Sequence, residues 1–290
     1  MNVGILFGED AIDFIHPFSV RLKERTRLEA ERRDNQAYPA YSPWLCARPK
    51  LSGPIDPELL AVSFPKGGLV TNERQLGLVQ RYVDGQGHIL MENMPVAPQE
   101  WPIMVNIERE RPDAISAFEE GMALLKASPF LTSVYDDLVD FVIPQDRERA
   151  SGFDSGYARG VIFRTFPKGR GGLLAGFQIA HAMGHHAAIL LQAADPLIAS
   201  DPEAEIYYKV RKDRRSANHA IVSSVALGYM VVLMKDLYRN QPRPFIADDH
   251  IRGYSEYLPD AVQLAVSSIT DACELTPVGT QIITELAALN

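Results

Sequence analysis

The stretch that decides the fold is LLAGFQIAHAMGHHAAILLQAA, residues 173–194. It is apolar over about six helical turns, and a run that is apolar all round predicts a helix buried inside the protein. His181 and His185 stand four residues apart, about 40° round the helix axis, so both imidazoles project from one face. Two imidazoles on neighbouring turns can bind one metal ion.

Other residues of this stretch shape the interpretation. His186 points about 100° away from His185, so we expect it to orient a neighbour or to face a second layer. Gly184 costs about 1 kcal/mol relative to alanine inside a helix, which indicates that another element packs closely there. The alternative to a metal site is a pair of structural histidines. Buried imidazoles need polar partners, however, and one metal ion would satisfy both, so we favour the metal site.

The neighbours of the two histidines disfavour an ordinary zinc peptidase. The H-E-x-x-H motif places a general-base glutamate directly after the first histidine, and that position here is Ala182. A third ligand must come from elsewhere, and the candidates are His219, at the start of a second apolar run, and Glu203 or Glu205. Two histidines with one glutamate would form the facial triad of non-haem Fe(II) oxygenases, whereas three histidines would hold Fe(II) or Zn(II).

An arginine-rich run, RKDRR at residues 211–215, lies between Glu205 and His219 in the sequence. The planar guanidinium of Arg211, Arg214 or Arg215 could bind a carboxylate with two hydrogen bonds, a geometry that lysine lacks. A solvated loop is the alternative interpretation of the run. Further candidate cations are Lys168, Arg170 and Arg243.

The order of these motifs resembles a known family. GVIFRTF at 160–166 precedes the His181 helix, which ends in LLQAADPLI; IYYKVRKDRR, an apolar run headed by His219, and LTPVGTQIITEL at 275–286 follow. Over residues 128–289 the chain resembles the HExxH-type peptide β-hydroxylases, which tailor ribosomally made peptides. The resemblance implies a mononuclear non-haem iron, 2-oxoglutarate-dependent oxygenase that hydroxylates the β-carbon of residues in a precursor peptide.

The resemblance also implies roles for individual residues. His181 and His185 match the two motif histidines, and His219 matches the downstream one. One of the three arginines would bind the 2-oxoglutarate carboxylate. The chain departs from the family at Ala182, where the family has its glutamate. Two alternatives follow: a metal-free relative that binds or presents a peptide to a partner enzyme, and a zinc-dependent hydrolase whose base lies outside the motif, such as Glu203.

Composition narrows the function classes. The chain has 290 residues, 46% of them hydrophobic and 23% charged, which is typical of a soluble globular protein. Its net charge of −8 provides no positive field for nucleic acid. Cys46 and Cys273 lie far apart, which excludes a disulfide framework and fits a reducing compartment, so a cytoplasmic protein is expected.

Apolar segments argue against a membrane partner. The opening MNVGILFGED lacks the basic region of a signal peptide. The most apolar stretch, residues 220–234, is shorter than the roughly twenty residues that a membrane span needs. We therefore expect a peptide or small-molecule substrate as partner, with neither nucleic acid nor membrane, and a homodimer is compatible with the sequence.

Periodicity predicts a mostly α protein. We expect a helical bundle-like domain with a few short strands and a proline-rich, irregular N-terminal region. Residues 1–127 would form a substrate-recognition or covering region, and residues 128–290 a helical, metal-binding catalytic domain. The predicted strand covers 160–166. Two predicted helices begin at Asp113 and at Ser128, and the others cover 19–34, 72–82, 173–194, 218–238, 259–274 and 277–289.

Overall fold

The computed structural model describes residues 4–90, 112–145, 152–166, 171–240 and 249–289. Within these ranges the fold is mostly α with a few short strands, which confirms the predicted fold class. Three of the candidate cations, Lys168, Arg170 and Arg243, lie outside the described residues.

The elements are numbered here in chain order. The helices are α1 Glu9–Asp34, α2 Pro57–Ala61, α3 Glu73–Leu90, α4 Pro112–Leu125, α5 Pro129–Leu138, α6 Gly171–Gln192, α7 Ala217–Asn240, α8 Asp249–Thr270 and α9 Pro277–Ala287. The strands are β1 Gly68–Leu69, β2 Phe141–Pro144, β3 Gly152–Phe153, β4 Val161–Arg164, β5 Glu205–Tyr208 and β6 Asp213–Ser216. The long apolar runs are thus helices, as predicted, and α9 begins with Thr276 accepting a hydrogen bond from the Gly279 amide at 3.1 Å.

Helix α3 is longer than predicted. The glycines at 85 and 87 were expected to end it near residue 82, yet the helix continues through both to Leu90. Its last two turns bury Val83, Ile89 and Leu90 in the core. The free energy of that burial outweighs the helix propensity lost at the two glycines.

Helices α1 and α8 begin about ten residues before their predicted starts. Each contains a proline, Pro17 in α1 and Pro259 in α8, close to where the predicted helix begins. Ile15 and Leu258, which precede these prolines, are completely buried. Tertiary packing therefore extends both helices past a residue that removes a backbone hydrogen bond.

The chain divides into two compact units. One comprises Met1–Pro17, Met122–Val134 and Ala180–Asn290, and we call it the histidine unit. The other comprises Phe18–Gly121 and Tyr135–Ile179, and we call it the sheet unit. The division into regions 1–127 and 128–290, with their separate roles, stays a prediction.

The sheet unit contains four short strands in the order β1-β2-β4-β3. β2 pairs in parallel with β1 and β4, and β3 pairs antiparallel with β4. An aromatic core packs against it: Trp44 lies 5.0 Å from Tyr82, and Phe64 stacks on Phe141, with ring centroids 4.2 Å apart. Trp44 lies in a short 3₁₀ helix, Pro43–Ala47, inside the proline-rich region that was predicted to be irregular.

Among the helices that the structure describes, α7 in the histidine unit is the one with an apolar window long enough for a membrane span. By length and composition alone it could cross a membrane, since an 18-residue window has a mean hydropathy of 1.6. That helix is longer than the apolar stretch noted in the sequence. However, 67% of the window is buried inside the protein, as in the core helix of a soluble protein, so this is weak evidence for a membrane span.

Candidate functional site

Two helices of the histidine unit cross in direct backbone contact. A Cβ atom added to Gly184 of α6 would lie 2.5 Å from the Ala226 Cα and 2.9 Å from the Val225 carbonyl oxygen of α7. This confirms the prediction that another element packs closely at Gly184. The Gln192 amide also donates a hydrogen bond to Asn218 Oδ1, so the end of α6 is tied to the start of α7.

This crossing brings the predicted histidines to one place. The His181 and His185 rings lie 4.6 Å apart between centroids, with their planes inclined at 49°. His219, in the first turn of α7, borders the same cavity as both of them. His186 and Ala182 are buried and are not among the residues that line this cavity. The position of the family's glutamate therefore supplies no side chain to the site.

The cavity has a volume of about 310 Å³, at the lower end of the range for small-molecule sites. Its lining contains the three imidazoles, two guanidinium groups, a carboxylate and a tyrosine ring. The lining residues are His181, His185, Tyr208, Val210, Arg211, Asp213, Arg215, His219, Ser223 and Leu227.

Electrostatics keeps His219 neutral. Burial, together with the neighbouring His185 and the Arg215 guanidinium, lowers the pKa of His219 to about 4. At neutral pH its imidazole is therefore uncharged and can offer a nitrogen lone pair to a metal ion.

The donor set is not yet a closed metal site. Over the described residues, no three His, Cys, Asp or Glu side chains lie close enough together to hold one ion. The adjacent His181 and His185 rings and the neutral His219 fit a metal in their chemistry. Glu203 and Glu205, the other candidates for third ligand, are exposed and do not line the cavity.

One wall of the cavity is a β-hairpin. β5 pairs antiparallel with β6, with Tyr208 opposite Asp213 and Tyr207 opposite Arg214. The turn contains Lys212 at a φ of 56°, a left-handed conformation that is uncommon for a residue with a side chain. The run that was alternatively read as a solvated loop thus forms part of a hairpin.

Strand alternation separates the arginines. Asp213 and Arg215 lie on one face of β6 and line the cavity, together with Tyr208 of β5. Arg214 does not line the cavity, and its Nη2 donates a hydrogen bond to the Glu205 carbonyl oxygen at 3.0 Å.

Arg215 is held in place on three sides. Its Nε and Nη2 donate hydrogen bonds to the two carboxylate oxygens of Asp213 at 3.1 and 2.7 Å. Its guanidinium carbon lies 4.6 Å from the centroid of the Tyr208 ring, and its Nη1 lies 3.5 Å from the Ser223 hydroxyl. The hydrogen bonds from Arg215 hold the pKa of the Asp213 carboxyl below its usual value.

Arg211 differs from Arg215 in its surroundings. Among the residues that the structure describes, its guanidinium forms no hydrogen bond or ion pair, although it borders the cavity and interacts electrostatically with Asp213. Of the three predicted arginines, the structure therefore places Arg211 and Arg215 at the cavity.

The prediction from sequence did not include Asp213 or Ser223. A period of two across residues 205–208 and 213–216 is the signal that could have identified Asp213, because it puts this residue on one face with Tyr208 and Arg215. Ser223 lies four residues after His219, so helical spacing places both on one face of α7.

Comparison with known proteins adds no further assignment. No protein-family model matches the chain. No curated protein matches it at a significant level. The residues of this cavity are therefore the basis for a functional inference.

Proposed function

We propose that this chain is an Fe(II)- and 2-oxoglutarate-dependent oxygenase that hydroxylates a peptide or a related small-molecule substrate. One observation carries the proposal: three histidines and two arginines selected from the sequence border a single cavity. These residues come from α6, α7 and the β5–β6 hairpin, so the fold brings the two histidines of α6 to the segment that holds Arg211, Arg215 and His219.

The imidazoles support the metal part of the proposal. His181 and His185 would hold the ion from adjacent turns of α6, and His219, neutral at physiological pH, is the candidate third ligand within the same cavity. When bound, Fe(II) with 2-oxoglutarate supplies activation of dioxygen for hydroxylation of carbon. That chemistry does not require the general base that a peptidase takes from the position of Ala182.

The guanidinium groups support the cosubstrate part. Arg211 and Arg215 place positive charge at the cavity, where either could bind a carboxylate of 2-oxoglutarate. Val210 and Leu227 add apolar surface to the lining, which limits the water around a bound ligand.

A metal-free binding protein is the second candidate function. The observation that favours it is that no three metal-binding side chains are gathered at one point in the described part of the chain. In that case the cavity would bind an anionic group of a peptide for a partner enzyme. No observation favours the zinc hydrolase, because Glu203, its proposed base, is exposed and away from the cavity.

Metal analysis separates the two candidates. The protein is purified without chelator, and bound iron, zinc and manganese are measured before and after anaerobic addition of Fe(II). An oxygenase should take up about one Fe(II) per chain and, with 2-oxoglutarate, give the weak visible charge-transfer band of a 2-oxoglutarate complex. Absence of any metal uptake would support the binding protein.

A variant tests the ligand assignment. His185→Ala should reduce Fe(II) uptake to background while the helix stays folded, because alanine is the better helix former. His88→Ala, which changes an exposed histidine of α3, is the matched control and should bind like the wild type. Full metal occupancy in His185→Ala would remove His185 from the ligand set.

A further inference from the structure

The Arg215–Asp213 pair has the geometry of an arginine bound to a carboxylate ligand. Two nitrogens of one guanidinium donate to the two oxygens of one carboxylate, at 3.1 and 2.7 Å, inside the cavity. This two-pronged arrangement is the one by which arginine recognises free carboxylates. Here the carboxylate belongs to the chain itself, two residues away on the same face of β6.

The two partners differ in how firmly they are held. The Arg215 side chain is 11% exposed and is fixed by the Tyr208 ring and the Ser223 hydroxyl. The Asp213 side chain is 49% exposed, and in the described part of the chain its carboxylate accepts hydrogen bonds only from Arg215. Asp213 can therefore rotate into solvent, where water replaces its hydrogen bonds, while Arg215 stays in position.

The charge around Asp213 favours a second anion. Arg211 and Arg215 both interact with Asp213, and both line the cavity. Two guanidinium groups therefore face the one carboxylate of Asp213 at the cavity. With Asp213 rotated outward, the cavity would offer two guanidinium groups to a single carboxylate.

We propose that Asp213 occupies the place of a ligand carboxylate and competes with it, so that an anionic ligand binds Arg215 by displacing Asp213. The choice of 2-oxoglutarate as that ligand rests on the proposed function, but the carboxylate class does not. Asp213 then sets the affinity of the cavity for anionic ligands. It keeps Arg215 paired in the empty cavity, so a ligand binds only if it pairs with the guanidinium better than Asp213 does.

The test measures binding of a simple dicarboxylate in the absence of metal. Succinate is titrated calorimetrically into the full chain in a buffer freed of metal with a chelating resin, so that no soluble carboxylate chelator competes for the arginines. Under these conditions succinate binding does not require a metal held by the histidines. If the protein takes up no Fe(II), the proposed oxygenase is wrong, but succinate binding can still be measured. If succinate does not bind, Fe(II) uptake is unaffected.

Removing the competitor should strengthen binding. We expect Asp213→Asn and Asp213→Ala to bind succinate about fivefold more tightly than the wild type, the effect expected for the loss of a half-exposed ion pair. Arg215→Met, and the double variant with Asp213→Asn, should lose succinate binding. Glu205→Gln is the matched control, because it removes the carboxylate that forms an ion pair with Arg214, outside the cavity, and should leave the affinity unchanged.

The sign of the effect decides the proposal. Weaker or unchanged binding in both Asp213 variants, with thermal melts that match the wild type, would mean that Asp213 positions Arg215 or plays no part, and would overturn it. The proposal would also be overturned if none of the proteins binds succinate. It would be overturned as well if the double variant, which lacks the Arg215 guanidinium, keeps the gain in affinity of Asp213→Asn.

Discussion

Two arginine–aspartate pairs in this chain have similar chemistry and different surroundings. In the sheet unit, Arg164 at the end of β4 pairs with Asp154, and the two side chains are 5% and 0% exposed. In the histidine unit, Arg215 and Asp213 are 11% and 49% exposed. Arg164 also donates to the carbonyl oxygens of Phe153 and Phe163, at 3.3 and 2.8 Å, so it binds both strands of the β3–β4 pair.

The difference shows how burial assigns a role to the same pair of groups. Arg164 donates to protein acceptors and the Asp154 side chain is completely buried, so we expect the two to stay paired. Arg215 has a partner that can leave, and a cavity into which a different carboxylate can come. The first pair fixes a sheet, whereas the second is suited to recognition.

The largest effect should come from removing the buried carboxylate. Asp154→Asn leaves the Arg164 charge in the protein interior without a counter-charge, so we expect the free energy of unfolding to fall by about 3 kcal/mol. Asp213→Asn, at a half-exposed pair, should lower it by less than about 1 kcal/mol. Urea unfolding of both variants measures the contrast. Equal losses would show that the two pairs are equally integrated and would remove the basis for calling Asp213 displaceable.

A smaller effect should come from the helix crossing that supports the recognition site. Gly184→Ala pushes a methyl group against the backbone of α7 at Ala226, and we expect a loss of about 1–3 kcal/mol despite the better helix propensity of alanine. Gly253→Ala is the matched control, since Gly253 is exposed in α8 and a Cβ there would meet no atom within 4 Å. The control should gain up to about 1 kcal/mol. Thermal unfolding that ranks the two variants in the opposite order would contradict the close contact.

The sequence predicted the frame of this site better than its chemistry. Apolar runs identified α6 and α7, because a long helix that is buried on all sides is apolar all round. Sequence reasoning also predicted that α3 ends near residue 82, before its glycines. No close contact in the structure explains the glycine at position 85, because a Cβ atom there would meet nothing within 4 Å. Local propensity could not foresee that the turns after Gly85 bury Ile89 and Leu90, which depends on contacts distant in sequence.

The cavity residues were predictable where one helix decided their placement. His181 and His185 share a face by helical spacing alone, and the apolar run after His219 placed that residue at a helix start. The arginines could not be separated, because the choice between Arg214 and Arg215 requires knowing that residues 213–216 form a strand. The turn before that strand lacks the glycine or asparagine that usually marks a hairpin, since Lys212 takes the left-handed position.

The smallest effect should come from that turn. Lys212 has a φ of 56°, where a side chain costs roughly 1 kcal/mol, so Lys212→Gly should raise the free energy of unfolding by up to about 1 kcal/mol. Asn35, at a φ of 52°, is the matched position, and Asn35→Gly should change stability by less than about 0.5 kcal/mol because asparagine tolerates this conformation. Urea unfolding resolves differences of this size only if both variants are measured together with the wild type. A gain at Lys212 would show that the hairpin retains strain beside the cavity. A loss of stability would mean that the Lys212 side chain makes a contact that offsets the strain. The hairpin that carries Asp213 would then be held as firmly as the sheet around Arg164.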